Sequence, residues 1–319
     1  METPVSNVLN HPISRRRAVA GIGALAATAV VGAGATPAAA AAEWGGSAPL
    51  IGPAGGEMLH VMSFNIRYDR AGTAPGQPDY WPERAPLVEQ LLRVEQPTIL
   101  GVQEAEFTQL AAVEAGLPAG YRSIGYGREG GNRGEYSAIY FNAQRLALLE
   151  WDQFWLSDTP DVIGSVTWGN SVTRVVVWGR FRDKNTGREL VAVNTHFDHQ
   201  SDSARANGAK AIVEVAERFP AVPMLVTGDF NAVAGDSAAY ATLVDSGVFA
   251  DSWLASEKRV SGEWGTFPNY AEPTAGGTRI DWLLATPGNV RVHSAAISTW
   301  TKGGRWPSDH TPIQALVSL

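Results

Sequence analysis

The sequence predicts an α/β protein in which mixed β-sheets pack as a sandwich. Apolar strand-like segments alternate with segments of helical periodicity along much of the chain. Two further strand-like segments flank the turn "KNTG", an arrangement typical of a hairpin. Strand–helix–strand units place strands in parallel and hairpins place them antiparallel, so a chain that contains both predicts mixed sheets.

Strands and helices alternate in the first part of the predicted domain. One strand, "LHVMSFNIRY", ends at Asn65, and the next, "TILGVQEA", ends at Glu104. Between them, residues 82–96 carry apolar side chains at helical spacing, which predicts a helix. Another helix is predicted at about residues 107–114, before the glycine-rich loop "GYGREGGNRGEY".

The rest of the chain is predicted to be mostly strands around one long helix. "YSAIYFN" and "LALLEWDQFWLS" are predicted as neighbouring antiparallel strands, and "TRVVVWGRFRD" with "ELVAVNTHFD" as the hairpin. The long helix is "SDSARANGAKAIVEVAERF". The remaining predicted strands are "PMLVTGDFN", "RIDWLLA", "VRVHSAAIST" and "PIQALVSL".

The N-terminus has the features of an export signal. Arg15–Arg17 precede an uncharged Ala/Gly/Val stretch that ends in small residues suited to cleavage. The sequence "SRR" at positions 14–16 resembles a twin-arginine signal, although the residues after it are smaller than usual. A membrane anchor is the alternative, but the segment is weakly hydrophobic. We therefore predict a twin-arginine-like signal peptide over residues 1–42 and a secreted or extracytoplasmic protein.

Composition and charge narrow the function of the mature chain. Residues 43–57 are rich in Gly, Pro and Ala and predict a flexible leader, and residues 58–319 are long enough for one large domain. Without residues 1–42, 22 basic and 31 acidic residues give a net charge of −9, which disfavours binding of long nucleic acid. With no cysteine, the protein depends on its core for stability. We predict a monomer with no stable nucleic-acid partner and no membrane span in the mature chain.

Polar residues end several of the predicted strands. In "NTHFDH", alternate positions place Asn194, His196 and Asp198 on one strand face after the apolar run "ELVAV". The ends of strands in layered α/β proteins converge at one edge, where ligands bind. Each residue alone is also compatible with a turn or a helix cap. The predicted site residues at strand ends are Asn65, Glu104, His196, Asp198, Asp229, Asn231, Asp281, Asp309 and His310.

The chemistry of these groups suits a hard metal ion. Carboxylate and amide oxygens without cysteine favour Mg²⁺, with Mn²⁺ or Ca²⁺ as alternatives. Like charges packed together without a cation would repel each other. The sequence therefore predicts a metal site at the converging strand ends.

Six segments in one order resemble a known superfamily. "SFNIR", "GVQEA", "NTHFDH", "TGDFNA", "RIDWLL" and "SDHTPI", spread over residues 59–319, are similar to the endonuclease/exonuclease/phosphatase superfamily with the DNase I-like fold. With "GEYS", "FWLS" and Arg205, they resemble an exported bacterial group within it. The resemblance implies an α/β four-layer sandwich, two mixed β-sheets flanked by helices, with the site at one edge.

The resemblance also implies a metal centre and a hydrolytic water. Glu104 would be the principal Mg²⁺ ligand, supported by Asn65 and Asp309. Asp229 would orient or deprotonate the attacking water, and Asn231 would hold a phosphate oxygen.

The histidines complete the implied machinery. His310 would pair with Asp281, which fixes its tautomer, and would stabilise the charge of the transition state. His196 would bind the phosphate or protonate the leaving oxygen. Asp198 is expected to be a partner of His196 or a further polar contact.

Substrate contacts are expected outside the catalytic set as well. Arg174 suits a phosphate contact because a guanidinium binds oxyanions in bidentate fashion. Trp155 and Trp168 lie in segments that would wall the cleft. In "GTFPNY", Pro268 stands where this group often has a histidine, so no substrate contact is assigned to that loop.

Together these features predict a metal-dependent phosphoesterase that uses in-line attack of an activated water on a small-molecule or glycan phosphomono- or phosphodiester. A secreted nuclease is an alternative that the acidic mature chain disfavours. A sphingomyelinase- or phospholipase C-like enzyme is another, for which no basic-aromatic membrane segment is visible. A catalytically inactive binding module would lack residues such as Glu104, Asp229 or His310, all of which are present.

Overall fold

The protein forms two β-sheets that pack face to face. The computed structural model describes residues 48–319, and the predicted export signal lies outside the described residues. The strands are β1 (Leu59–Asn65), β2 (Ile99–Gln103), β3 (Tyr121–Ile124), β4 (Ile139–Asn142), β5 (Leu146–Trp155), β6 (Val175–Asp183), β7 (Glu189–His196), β8 (Met224–Asp229), β9 (Ala250–Asp251), β10 (Lys258–Arg259), β11 (Asp281–Ala285), β12 (Arg291–Ile297) and β13 (Ile313–Ser318).

Both sheets are mixed, as predicted. The first has seven strands in the order β10-β12-β13-β1-β2-β4-β3, and the second has six in the order β5-β6-β7-β8-β11-β9. The pairs β1/β2 and β7/β8 are parallel, whereas β1/β13 and β8/β11 are antiparallel. The predicted hairpin is confirmed as the antiparallel pair β6/β7.

Helices cover the outer face of each sheet. The longer ones are α1 (Trp81–Glu95), α2 (Leu110–Gly116) and α3 (Asp202–Arg218), and short helical turns span Phe107–Gln109, Ala238–Tyr240, Ala241–Asp245 and Ser252–Ala255. Pro82 lies in the first turn of α1, where its missing N–H costs no helical bond, and the Ser201 side chain caps α3. Within the described residues, no helix combines the length and hydrophobicity that a membrane span needs.

Three apolar cores separate the layers. Val88 and Leu92 of α1 pack on the first sheet, and Ile212 of α3 packs on the second. Between the sheets, Val61 from the first packs in the same core as Val177 from the second. The order helix–sheet–sheet–helix confirms the predicted four-layer sandwich.

Two local expectations need correction. β4 and β5 were expected to be neighbours, but they lie in different sheets. Phe141 of β4 and Leu146 of β5 both pack in the core between the sheets. Placing the two strands in opposite sheets therefore buries both side chains in the same core. Part of the predicted flexible leader is held in place, since the N–H groups of Leu50, Ile51 and Gly52 donate to the Glu95 carboxylate at 2.9–3.3 Å.

A buried polar group ties the two sheets together beneath the strand ends. Asn194 Nδ2 donates to the Val102 carbonyl (2.8 Å), and Asn194 Oδ1 accepts from Gln103 Nε2 (2.7 Å) and Thr227 Oγ1 (3.0 Å). Gly101 allows this approach, because a Cβ there would lie 2.1 Å from Thr227 Oγ1. Asn194, the first polar residue of "NTHFDH", thus links the sheets.

Candidate functional site

One end of both sheets collects the predicted catalytic residues. In the second sheet, His196 is paired with Asp229 across β7/β8, and Asp229 is paired with Asp281 across β8/β11. In the first sheet, β1 ends at Asn65, and Glu104 follows the last residue of β2. The register of the strands therefore places these side chains in adjoining rows.

Glu104, Asp229 and His310 form a compact buried cluster. Each offers one ligand atom, and these atoms lie within 4.8 Å of one another. Asn65 connects them, because its Nδ2 donates to Glu104 Oε1 (2.9 Å) and to Asp229 Oδ2 (3.0 Å). The cluster brings together groups from both sheets.

Burial and neighbouring charges shift the pKa values of all three groups in the cluster. Burial raises the pKa of Asp229 to about 7, with a further contribution from Asp281. Burial also acts to raise the pKa of Glu104, but His310 and the Asn65 amide outweigh it and hold that pKa below its usual value. For His310, burial favours the neutral ring, yet Asp281 and Asp229 outweigh it and raise the pKa to about 10.

Two histidines lie on either side of Asp229 and differ in charge. His310 Nδ1 lies 2.9 Å from Asp281 Oδ2, so this imidazole is held as a donor to the carboxylate. His196 Nε2 lies 3.0 Å from Asn231 Nδ2. Because the amide nitrogen is a donor, we assign Nε2 as the acceptor and the proton to Nδ1. Burial, followed by the Coulombic effect of nearby arginines, holds the pKa of His196 well below its usual value, so its ring is neutral.

Asn231 is positioned by its backbone and by Asp229. Its φ is 47°, a left-handed value that Asn tolerates better than most residues. Its N–H donates to Asp229 Oδ1 (2.9 Å), and its Nδ2 also donates to the Phe197 carbonyl (3.1 Å). The turn after β8 therefore presents an amide beside the acid.

These groups open into a cavity of about 490 Å³ that also has a basic wall. Arg174 is buried, its Nη2 lies 3.1 Å from His199 Nδ1, and no salt bridge reaches it within residues 48–319. Arg128 is paired with Glu135 at 2.8 Å. Burial and the neighbouring Arg128 lower the pKa of Arg174, although Glu135, Asp229 and Asp198 act to raise it. Such a wall attracts an anion into the cavity.

A wider cavity of about 870 Å³ lies at the opposite end of the sandwich. Glu189, at the start of β7, and Ala285, at the end of β11, line it. It contains none of the predicted site residues, so the chemistry points to the smaller cavity.

Several predicted site residues lie outside the cavity wall. Asn65 and Asp281 contact groups that line it. Asp309 is buried beside the cluster, and its Oδ2 lies 3.5 Å from Arg67 Nε. The Asp198 carboxylate accepts hydrogen bonds from the backbone of Gln200 and Ser201 instead of pairing with His196.

The place of Asp198 follows from where its strand ends. β7 ends at His196, so the alternation of side chains does not extend to position 198. Asp198 Oδ1 instead accepts N–H bonds from Gln200 (2.9 Å) and Ser201 (2.7 Å), just before α3. Its carbonyl accepts from Arg205 Nη1 (2.7 Å), which gives that arginine a structural contact.

The two tryptophans do not wall the cavity. Trp155 is buried, and its Nε1 donates to the Arg128 carbonyl (2.7 Å). Trp168 donates through Nε1 to Asp158 Oδ1 (2.7 Å) and packs at the edge of the core between α3 and the second sheet. Trp155 therefore supports a cavity residue without contacting the cavity itself.

Sequence reasoning missed several cavity residues. Arg67 and Glu135 lie within quoted motifs, "SFNIR" and "GEYS", without a role having been assigned. His199 lies within the quoted motif "NTHFDH", also without a role having been assigned, and is exposed at the cavity wall. The loop around Pro268 does reach the cavity, because Phe267 is 48% exposed with its ring 4.7 Å from that of His310. All of these residues lie in or next to a quoted motif, and that position in the sequence could have indicated that they reach the cavity.

Known proteins share this fold. An endonuclease/exonuclease/phosphatase family protein from Bacteroides thetaiotaomicron is 34% identical, with a TM-score of 0.76 over 82% of this chain and 95% of that one. A mannosyl-6-phosphatase from the same organism is 33% identical, with a TM-score of 0.75 over 82% of this chain and all of that one.

A curated relative is an uncharacterized protein of Acanthamoeba polyphaga mimivirus, 29% identical over 163 residues. That alignment covers 47% of this chain and spans 59% of the relative's length. The fold and its neighbours are of the phosphoesterase and nuclease type. Residues 62–310 match the model of the Endonuclease/Exonuclease/phosphatase family, and the chain therefore belongs to that family.

Proposed function

We propose that the protein is an exported, Mg²⁺-dependent phosphoesterase that hydrolyses a phosphomono- or phosphodiester of a small molecule or glycan. One observation carries this proposal: a single cavity joins the Glu104–Asp229–His310 cluster to the guanidinium of Arg174, which has no salt bridge within residues 48–319. The carboxylates of the cluster can bind a cation and accept a proton from an attacking water. The guanidinium offers the positive charge and the N–H donors that bind a phosphate.

The residues present fit a divalent cation. Glu104 and Asp229 offer carboxylate oxygens close to each other, and the raised pKa of Asp229 reflects buried negative charge without enough compensation. Oxygen donors suit Mg²⁺, with Mn²⁺ or Ca²⁺ also fitting. Glu104 would hold the ion, and Asn65, whose Nδ2 faces both acids, would orient them. When bound, a cation supplies neutralisation of charge on phosphate oxygens.

Asp229 is suited to take a proton from water. Its Oδ2 faces His196 Nε2 at 3.4 Å and His310 Nε2 at 3.7 Å, at the floor of the cavity. Without a bound cation, burial raises the pKa of Asp229 to about 7, so this carboxylate accepts a proton more readily than an ordinary aspartate does. In the proposed mechanism, Asp229 aligns the water for in-line attack and accepts its proton.

The other polar groups face the phosphate. The His310 imidazolium, held by Asp281, and the Arg174 guanidinium would stabilise charge on the non-bridging oxygens. Asn231 offers an amide beside Asp229. His196 Nδ1 is buried, has no hydrogen-bond partner among the described residues and lies 3.9 Å from Glu135 Oε2, and in the proposed mechanism its N–H donates to a phosphate or leaving-group oxygen.

The substrate class is supported by three features. The cavity of about 490 Å³ suits a small ligand. The exposed ring of Phe267 beside His310 offers an apolar surface for a leaving group. The similar protein from Bacteroides thetaiotaomicron is named a mannosyl-6-phosphatase. We therefore place a sugar phosphate first among the substrates.

A panel of esters tests the proposal. Residues 43–319 would be assayed with mannose 6-phosphate, p-nitrophenyl phosphate, bis-p-nitrophenyl phosphate, plasmid DNA and sphingomyelin, each with Mg²⁺, Mn²⁺, Ca²⁺ or EDTA. We expect EDTA-sensitive phosphate release from a small ester, lost in Asp229→Ala. Preferred cleavage of DNA or sphingomyelin would replace the proposed substrate with the nuclease or the phospholipase C-like alternative. No hydrolysis of any ester would contradict the proposed activity.

Export rests on the sequence of the N-terminus. Arg15 and Arg16 resemble the pair of a twin-arginine signal. Replacing both with lysine is expected to keep the protein in the cytoplasm of an expressing bacterium. Undiminished export of that variant would contradict the twin-arginine route.

A further inference from the structure

Arg67 places its guanidinium between two carboxylates that the sequence predicts as metal ligands. Its Nη1 lies 3.5 Å from Glu104 Oε2, and its Nε lies 3.5 Å from Asp309 Oδ2. The same Nε is 3.4 Å from Asp79 Oδ1. A protein cation therefore lies where a second metal ion would need shared carboxylate ligands.

The fold fixes Arg67 in this position. Its φ is 58°, a left-handed value that is disfavoured for a residue with a side chain. The Arg67 N–H donates to Asn65 Oδ1 (3.0 Å), and its carbonyl accepts from Gln109 Nε2 (2.9 Å) and Arg84 Nη2 (3.2 Å). Its Cζ lies 4.5 Å from the centroid of the Tyr68 ring. Strain of this kind persists only where the surroundings hold it.

Asp309 is engaged by Arg67 and lies outside the metal-type cluster. The groups with ligand atoms within 4.8 Å of one another are Glu104, Asp229 and His310. Asp309 directs its Oδ2 to Arg67. Glu104 is shared, since its Oε1 faces Asn65 within the cluster and its Oε2 faces Arg67.

We propose that Arg67 is a resident cation that takes the place of a second metal ion, so that the site binds one divalent cation and Asp309 acts only through Arg67. This inference rests on the metal dependence of the proposed function. Metal pairs in two-metal hydrolases lie about 3.5–4 Å apart and share ligands. A second divalent ion near Glu104 and Asp309 would be repelled by the guanidinium and would have to break its contacts.

Binding of Mn²⁺ alone, measured by isothermal titration calorimetry and by the electron paramagnetic resonance signal of free Mn²⁺, tests the inference without an activity assay. The wild-type protein is expected to bind one Mn²⁺ per chain. Arg67→Met keeps the length of the side chain, removes its charge and is expected to bind two. A wild-type protein that binds two ions, or Arg67→Met that still binds one, would overturn the inference.

Two further variants keep the test decisive. Arg70→Met is the matched control, because Arg70 is exposed and lies 3.9 Å from Asp79, and it should bind one ion. Asp309→Asn should bind one ion with affinity within threefold of wild type, whereas a direct ligand would lose tenfold or more. That variant decides the matter even if Arg67→Met does not fold. A wild-type protein that binds no Mn²⁺ would refute the proposed metal dependence, whereas two ions would refute this inference alone.

Discussion

The pair formed by Asp281 and His310 gives the most direct test of the proposed mechanism. Asp281→Asn removes a charge and keeps the size of the side chain. Asp281 Oδ2 lies 2.9 Å from His310 Nδ1, and both side chains are buried. The Asp281 N–H bond to Thr266 Oγ1 (3.0 Å) does not involve the carboxylate and is retained. The variant therefore changes the charge next to the imidazole with little change in structure.

The size of the effect follows from how His310 is charged. Burial favours the neutral ring of His310, but Asp281, Asp229 and Asp309 outweigh it and raise its pKa to about 10, with Asp281 as the largest of these contributions. In a serine-protease triad, the equivalent change of Asp to Asn lowers kcat about 10⁴-fold, because the imidazole adopts the wrong tautomer. Since Asp229 remains beside His310 here, we expect kcat to fall by roughly 10²–10³-fold, with KM within a few-fold of wild type.

Steady-state kinetics on the best ester of the panel measure this effect. Asp202→Asn is the control, because its side chain is 95% exposed on α3 and lies outside the cavity. Thermal unfolding shows whether Asp281→Asn remains folded. A folded Asp281→Asn enzyme with kcat within threefold of wild type would refute the role given to this pair.

Three other changes test the phosphate wall, a buried ion pair and the contact between the sheets. Arg174→Met should raise KM roughly tenfold to a hundredfold, since a hydrogen bond to a charged group is worth about 1.5–3 kcal/mol; an unchanged KM would exclude a phosphate contact. Asp183→Asn leaves Arg145, bonded at 2.5 and 2.9 Å, without its buried partner, and should cost about 3–5 kcal/mol in urea unfolding at pH 7. Burial acts to raise the pKa of Asp183, but Arg145 outweighs it and lowers that pKa. The ion pair therefore stabilises the protein above about pH 4, and this stabilisation is lost as the pH falls through the folded-state pKa. A stability difference between wild type and Asp183→Asn that persists at low pH would contradict this account. Gly101→Ala should lower the free energy of unfolding by about 1–3 kcal/mol and reduce kcat, because the new Cβ would lie 2.1 Å from Thr227 Oγ1. Adding Thr227→Ala should recover part of the stability and part of the kcat. No recovery would mean that the strain does not arise at Thr227.

The predicted residues that converge are those whose position follows from a strand. His196, Asp229 and Asp281 lie in one row because strand register fixes them, and Glu104 follows β2 directly. The hydrophobic pattern shows where a strand runs, and the polar residue at its end shows where it enters a site. The hydrophobic pattern alone does not show that the strand ends meet in one site. The order of the motifs indicated it, because that order resembles one protein family.

The residues that the sequence did not place lie where the chain leaves regular structure. Asp198 follows the end of β7, so strand alternation no longer determines its direction. Arg128 and Phe267 come from loops whose paths depend on tertiary contacts, such as the bond from Trp155 to the Arg128 carbonyl. Trp155 itself illustrates a second limit, because periodicity shows that a side chain is buried without showing what it supports.

The buried hydrogen bonds between the sheets explain how residues from both can act as one site. Glu104 directly follows β2 of the first sheet and Asp229 ends β8 of the second, so their separation depends on how the two sheets are aligned. The apolar core between the sheets holds them together, but hydrophobic contact is not directional and does not set their alignment. Asn194 of β7 sets it, because its Nδ2 donates to the Val102 carbonyl of β2 and its Oδ1 accepts from Gln103 Nε2, directly beneath the cluster. An unsatisfied buried amide is costly, so sliding one sheet along the other would lose these bonds as well as the geometry of the cluster. The polar end of "ELVAVNTHFD" therefore serves the site twice: His196 lies at the cavity, and Asn194 keeps the two sheets in the alignment that the cavity needs.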